Sequence, residues 1–182
     1  MAVRSIPPDG SSRLKGRQAV GSGEFSAEDE REIRDLVVRY ADAISRAEAA
    51  TLKGLWSEDC RLELVGVTGP VKEITGRDTV VDYQEEHMDR YSSLLQLVGQ
   101  GLVRSGEDGG AEGQWIVWEI GRGRGAEQDR MGVVCYIDRY VREGDRWLIA
   151  ERRLSVHYNA EAVASGTYAP LPSPPPRVLK IG

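Results

Sequence analysis

The apolar residues of this chain change period once, from helical spacing to strict alternation, and that switch constrains the fold more than any other feature. Ile33, Leu36, Val37, Tyr40, Ala41 and Ile44 recur at three- and four-residue intervals, predicting an amphipathic helix over 27–46. Ser26 and Asp29 stand at capping-box spacing before it. A short second helix is predicted through Leu52, Leu55 and Trp56, then a strand over 61–65 with a hairpin partner near 71–75. Gly76 precedes a third helix over 77–91, with Val80, Gln84, His87 and Tyr91 on one stripe. Beyond it the period is two, and 94–104, 114–120, 131–142 and 147–156 read as long strands joined by Gly-rich turns. Helices followed by an antiparallel meander make an α+β pattern, in which a strongly curved sheet could wrap the helices and enclose a cavity, and periodicity alone goes no further.

The remainder of the chain frames this domain. Residues 1–25 carry Pro7-Pro8, several glycines and scattered basic residues without periodicity, and read as a flexible leader. Within it Gly21-Ser22-Gly23-Glu24-Phe25 resembles a cloning junction, so Phe25 is set outside the fold. The expected domain spans 26–160, and 161–182 is a Pro-rich tail. With 182 residues there is room for one domain with a substantial core. The net charge of −5 argues against nucleic acid as a partner. No apolar run of about 18 residues exists to span a membrane. The leader has no apolar stretch of a secretory signal, and Cys60 and Cys135 form no CxxC pattern, so buried reduced thiols in the cytoplasm are expected. Two histidines without HxH or HExxH spacing give no reason to expect a metal, and no cofactor motif is present.

The local wording then points to a family. The run Ile33-Arg34-Asp35-Leu36-Val37-Val38-Arg39-Tyr40-Ala41-Asp42-Ala43, followed by Leu52–Cys60, Gly76-Arg77-Asp78 and the hairpin Tyr136–Trp147, resembles SnoaL-like proteins of the nuclear-transport-factor-2-like superfamily. That family includes polyketide cyclases, scytalone dehydratase and lindane dehydrochlorinase. The resemblance implies a cone-shaped α+β barrel, with three N-terminal helices packed on a curved, mostly antiparallel sheet. It also implies a deep, largely apolar pocket and acid–base chemistry without a metal. In the dehydratase and dehydrochlorinase branch, an Asp near the end of helix one orients a His at the start of the first long strand. Ser45 and Gln96 stand at those positions here, and such a pair cannot abstract a carbon-bound proton near neutral pH. Arg152 matches an arginine that helps bind the leaving group in that branch.

Chemistry must then come from other residues. Glu119 lies in Gln114–Ile120, a strand apolar on both faces, where a carboxylate is ion-paired, with Arg152 for example, or faces solvent at the strand end, or is raised in pKa and fit for general acid–base work. Asp138 shares a face with Tyr136 and Tyr140, and serves either as a proton carrier or in a cross-strand salt bridge near the sheet edge. His87 is a third catalytic candidate, or a hydrogen-bonded core residue. Tyr40, Ser45, Gln96, Tyr136 and Arg152 are candidates for holding a substrate oxygen.

The expected function is a cofactor-independent lyase, cyclase or isomerase acting on a hydrophobic cyclic small molecule. Two alternatives stay open: a non-catalytic binding protein of the same fold, and an accessory subunit of an oxygenase. Trp147 and Ile149 are expected on the outer face of the sheet, where relatives commonly pair, so a homodimer or a trimer is expected.

Overall fold

The computed structural model describes residues 25–66 and 70–161. Helix α1 (Ala27–Arg46) starts at the capping box: Asp29 N–H donates to Ser26 Oγ at 3.1 Å, and Ser26 N–H donates to Asp29 Oδ2 at 2.9 Å. This satisfies N–H groups that the first helical turn leaves open. Ile33, Leu36, Val37, Tyr40 and Ile44 form its buried stripe.

Helix α2 (Ala49–Lys53) is shorter than its spacing predicts, because the chain leaves it at Gly54 and Trp56 already opens strand β1 (Trp56–Val65). The Leu55 carbonyl accepts from Ile149 N–H at 2.9 Å, so a neighbouring strand captures this segment before another helical turn can form. After β2 (Lys72–Thr75), helix α3 (Arg77–Met88) also stops early, and Tyr91 begins β3 (Tyr91–Ser105). Strands β4 (Ala111–Gly123), β5 (Arg130–Glu143) and β6 (Arg146–Glu161) complete the meander. All four long strands outrun their apolar alternation, since pairing continues through polar ends such as Ser105 opposite Ala111 and Glu143 opposite Arg146.

The six strands form one sheet in the order β2-β1-β6-β5-β4-β3, antiparallel throughout except where β1 runs parallel to β6. Register shifts interrupt β3 between Val98 and Gly101, and β6 where it pairs with β5 at Val133/Val134 and Arg139/Tyr140, the extra residue lying on β6 both times. Irregularities of this kind bend and twist a strand, and the sheet here curls around α1 and α3. At Gly101 the curl brings backbone and ring together: a Cβ would lie 1.9 Å from the Trp115 ring. The helices and the inner sheet face share one core, which includes Trp56, Leu62, Trp115, Val117, Tyr136 and Tyr140.

Three placements differ from the sequence reading. Trp147 and Ile149 face inward, not outward; Trp147 Nε1 donates to Asp29 Oδ1 at 3.0 Å, and Ile149 is fully buried. The register shift at Arg139/Tyr140 changes the count along the neighbouring strand, which alternation alone cannot anticipate. Phe25, set aside with the leader, packs edge-on against Trp147 with ring centroids 6.3 Å apart. The leader before Phe25 and the tail beyond Glu161 lie outside the described residues.

Candidate active site

A cavity of about 300 Å³ opens between α1, α3 and the inner face of the sheet. Leu62, Leu64, Leu94, Val134, Leu154 and Val156 give it apolar walls, and Tyr40, Gln84, Gln96 and Glu119 place polar groups among them. Tyr40, Gln84 and Gln96 are buried, whereas Arg130, Tyr158 and Asn159 are exposed, so the cavity has a polar floor and an open rim. His87 lines it near the rim, its ring 5.2 Å from that of Tyr91. Burial, and then the Arg90 charge, lower the pKa of His87 and leave a neutral imidazole favoured there.

Glu119 reaches the cavity from the middle of β4, opposite Gln96 on β3. Gln96 Nε2 donates to Glu119 Oε1 at 2.7 Å. Burial raises the Glu119 pKa, and the Gln96 hydrogen bond only partly opposes that rise. The ion pair with Arg152, one of the sequence alternatives for Glu119, does not form. Arg152 pairs with Asp138 instead, through Nε to Oδ1 at 2.7 Å and Nη2 to Oδ2 at 2.6 Å, with both side chains fully buried. Asp138 is therefore in the interior, not at the sheet edge, and Tyr140 also donates to its Oδ2 at 2.6 Å. Trp115 Nε1 in turn donates to the Tyr140 hydroxyl at 2.8 Å. Both Asp138 oxygens are thus engaged in holding the arginine.

The Arg152 guanidinium lies 4.1 Å from the ring centroid of Tyr40 and 4.1 Å from that of Tyr136. Cation–π contacts of this kind stabilise a charge that water cannot reach. Burial works against the Arg152 cation, but Asp138 and the two phenols outweigh it and hold its pKa well above the ordinary value. Burial likewise raises the Tyr136 phenol strongly. Arg152 Nη1 and the Tyr136 hydroxyl are buried with no hydrogen-bond partner among the described residues. Of Tyr40, Tyr136 and Arg152, Tyr40 is the one that lines this cavity.

Tyr40 is oriented by residues that the sequence reading did not single out as functional. Gln84 Nε2 donates to the Tyr40 hydroxyl oxygen at 2.8 Å, and Trp56 Nε1 donates to Gln84 Oε1 at 3.3 Å. The indole fixes the amide, the amide occupies the phenol oxygen, and the phenolic hydrogen stays available for an acceptor. Gln84 was visible on the stripe of the third helix, but its partners on β1 and α1 lie 28 and 44 residues away. Ser45 does sit beside Gln96, as the resemblance implies. Its hydroxyl accepts from the Gln96 backbone N–H at 2.9 Å and donates to Ala41 O at 2.8 Å. The pair is a hydrogen-bonded brace between α1 and β3, and Ser45 is not among the cavity-lining residues. No group of three or more His, Cys, Asp or Glu side chains is gathered as metal ligands among the described residues.

Fold and cavity together define a helix-lined α+β cone with a largely apolar site. The profile of the SnoaL-like domain matches residues 26–153, and the chain belongs to that family. A candidate scytalone dehydratase from Novosphingobium aromaticivorans DSM 12444 superposes with a TM-score of 0.66 at 19% identity, covering 75% of this chain and 89% of that one. The hexachlorocyclohexane dehydrochlorinase LinA-type3 from Novosphingobium barchaimii LL02 gives 0.67 at 14% identity, covering 79% and 96%. A single-residue variant of Rv3472 from Mycobacterium tuberculosis, a protein of unknown function, gives 0.60 at 23% identity, covering 72% and 77%. At these identities the likeness is one of fold. No curated relative matches by sequence. No helix among the described residues is long and apolar enough to cross a membrane.

Proposed function

We propose that this protein is a cofactor-independent lyase, cyclase or isomerase for a hydrophobic cyclic small molecule, with Glu119 moving the proton. One observation carries the proposal: a carboxyl group facing an apolar cavity, raised in pKa by burial, with a neutral amide as its partner instead of a cation. Such a group changes protonation state closer to neutral pH than an ordinary carboxylate and acts as base or acid in turn. Tyr40 donates its hydroxyl to a substrate oxygen, and the Arg152 cation behind its ring favours the negative charge that develops there. Asp138 and Tyr136 position Arg152, and His87 contributes at the rim. Neighbours of the same fold that carry dehydratase and dehydrochlorinase names agree with this class of reaction.

A second reading has its own observation. Where the dehydratase branch carries its Asp–His dyad, Ser45 and Gln96 form a brace within the protein, which suits a binding protein that leaves its ligand unchanged.

Mass spectrometry of a hydrophobic metabolite extract, before and after incubation with wild type or Glu119→Gln, separates the two readings. A mass change or isomer shift made by the wild type and lost in the variant is expected. Retention of one unchanged compound by both proteins would favour the binder.

Two further points belong to this proposal. The protein works in the cytoplasm, a setting suited to two free, buried thiols. It pairs through the outer sheet face, where Leu97, Leu102, Trp118 and Ile137 are exposed among alternating charges.

A further inference from the structure

Gln96 is only half satisfied. Its Nε2 is spent on Glu119, while its Oε1 is buried without a hydrogen-bond partner among the described residues. An unpaired buried acceptor costs on the order of 1–3 kcal/mol, so the site stands to gain from a donor that arrives with a ligand. The amide is poorly placed to relax away from this state. Ser45 holds its backbone N–H, Ser45 is itself anchored to Ala41 O, and while Glu119 is ionised, turning the amide over would set its oxygen against a carboxylate. The residue lines the cavity at only 8% exposure.

Beside it, the second Glu119 oxygen has room. Oε2 faces Gly132 on β5, where even an added Cβ would remain 3.9 Å away. Just beneath one patch of cavity wall, therefore, lies an amide oxygen that only accepts, next to a carboxyl group that donates whenever it carries its proton. We propose that Gln96 and Glu119 form a two-point recognition element for a ring ligand bearing a hydroxyl or N–H directly beside a carbonyl or hydroxyl oxygen, such as a hydroxy-substituted cyclic ketone. The donor goes to Gln96 Oε1, and the neighbouring oxygen meets Glu119. Gln96 becomes the specificity-determining residue of the site, a role resting on the reading of the cavity as a small-molecule site.

The test is calorimetric binding of 1-tetralone and 2-hydroxy-1-tetralone, which differ by one hydroxyl beside the ketone. Wild type should bind the hydroxyketone about 10-fold more tightly, the worth of one buried hydrogen bond. In Gln96→Met the ratio between the two probes should fall to about one. The same variant removes the hydrogen bond that opposes the rise of the Glu119 pKa, so the pH midpoint of hydroxyketone binding should move upward. That shift is one a purely structural role would not produce.

Equal affinities in wild type would overturn the proposal and mean that the Glu119 proton satisfies the amide oxygen by itself. A preference surviving in Gln96→Met would overturn it too, as would failure of wild type to bind either probe. The wild-type ratio decides the matter even if the variant folds poorly. Discrimination without any turnover would support two-point recognition while removing the enzymatic reading, so the two failures are distinct.

Discussion

Glu119 and Arg152 are opposite solutions to the same problem, an ionisable group enclosed in a small core. Arg152 is given a bidentate partner and two aromatic faces; Glu119 is given an amide and a cavity. Removing one member of a buried pair strands the other, so Asp138→Asn and Arg152→Met should each destabilise the protein by about 3–5 kcal/mol, read by urea unfolding. For Glu119 the sign is reversed. Its folded pKa is raised above the unfolded value of about 4.3, so the folded state binds the proton more tightly and loses stability as pH climbs from that value through the folded pKa. Glu119→Gln removes this loss. Unfolding curves at pH 5 and pH 8 should show the variant gaining on wild type at the higher pH, while its turnover falls by about 10²–10⁴-fold.

At the scale of elements, the first helix was legible in detail because its cap and its stripe are local. Ser26→Ala should cost about 1 kcal/mol. The Ser26 side chain and backbone, with smaller help from Trp147 and Arg142, hold the Asp29 pKa down to about 2. That contribution is present at neutral pH and disappears as acid takes the solution from about pH 4 towards 2; in Ser26→Ala an acid titration of circular dichroism should show it lost at higher pH. The ends of α2 and α3 were not legible, since a neighbouring strand fixes the first and the second gives way to a strand that starts within its own apolar stripe. The same division runs through the site. Glu119 stood out because a carboxylate interrupts an apolar strand, and Gln96 because a family position had changed. Trp56 and Gln84 carried no such mark, and only the closed fold brings their side chains to Tyr40. Gly101 was equally silent, although it is the one place on β3 that can accept the Trp115 ring. Gly101→Ala puts a methyl group into that ring and should lower stability by about 1–3 kcal/mol in thermal or urea melts.

For the whole molecule, the outer sheet face is where assembly can be tested. Trp118 is 44% exposed and Leu102 76%, in a region that also carries the Arg104–Glu112 and Arg153–Glu63 ion pairs. Lysine at both Trp118 and Ile137 should yield a monomer in light scattering, with the cavity and its ligand affinity retained, if this face is the pairing surface. The parallel contact of β1 with β6 has a different consequence. Arg61 on β1 meets Glu151 on β6 across 90 residues of sequence, so the strand made early must wait for the strand made last. At about 5–20 residues per second, translation of that interval takes roughly 5–20 s. During it β1 offers an open hydrogen-bonding edge to whatever else is near the ribosome, which makes the nascent chain, more than the finished protein, the form that needs a chaperone.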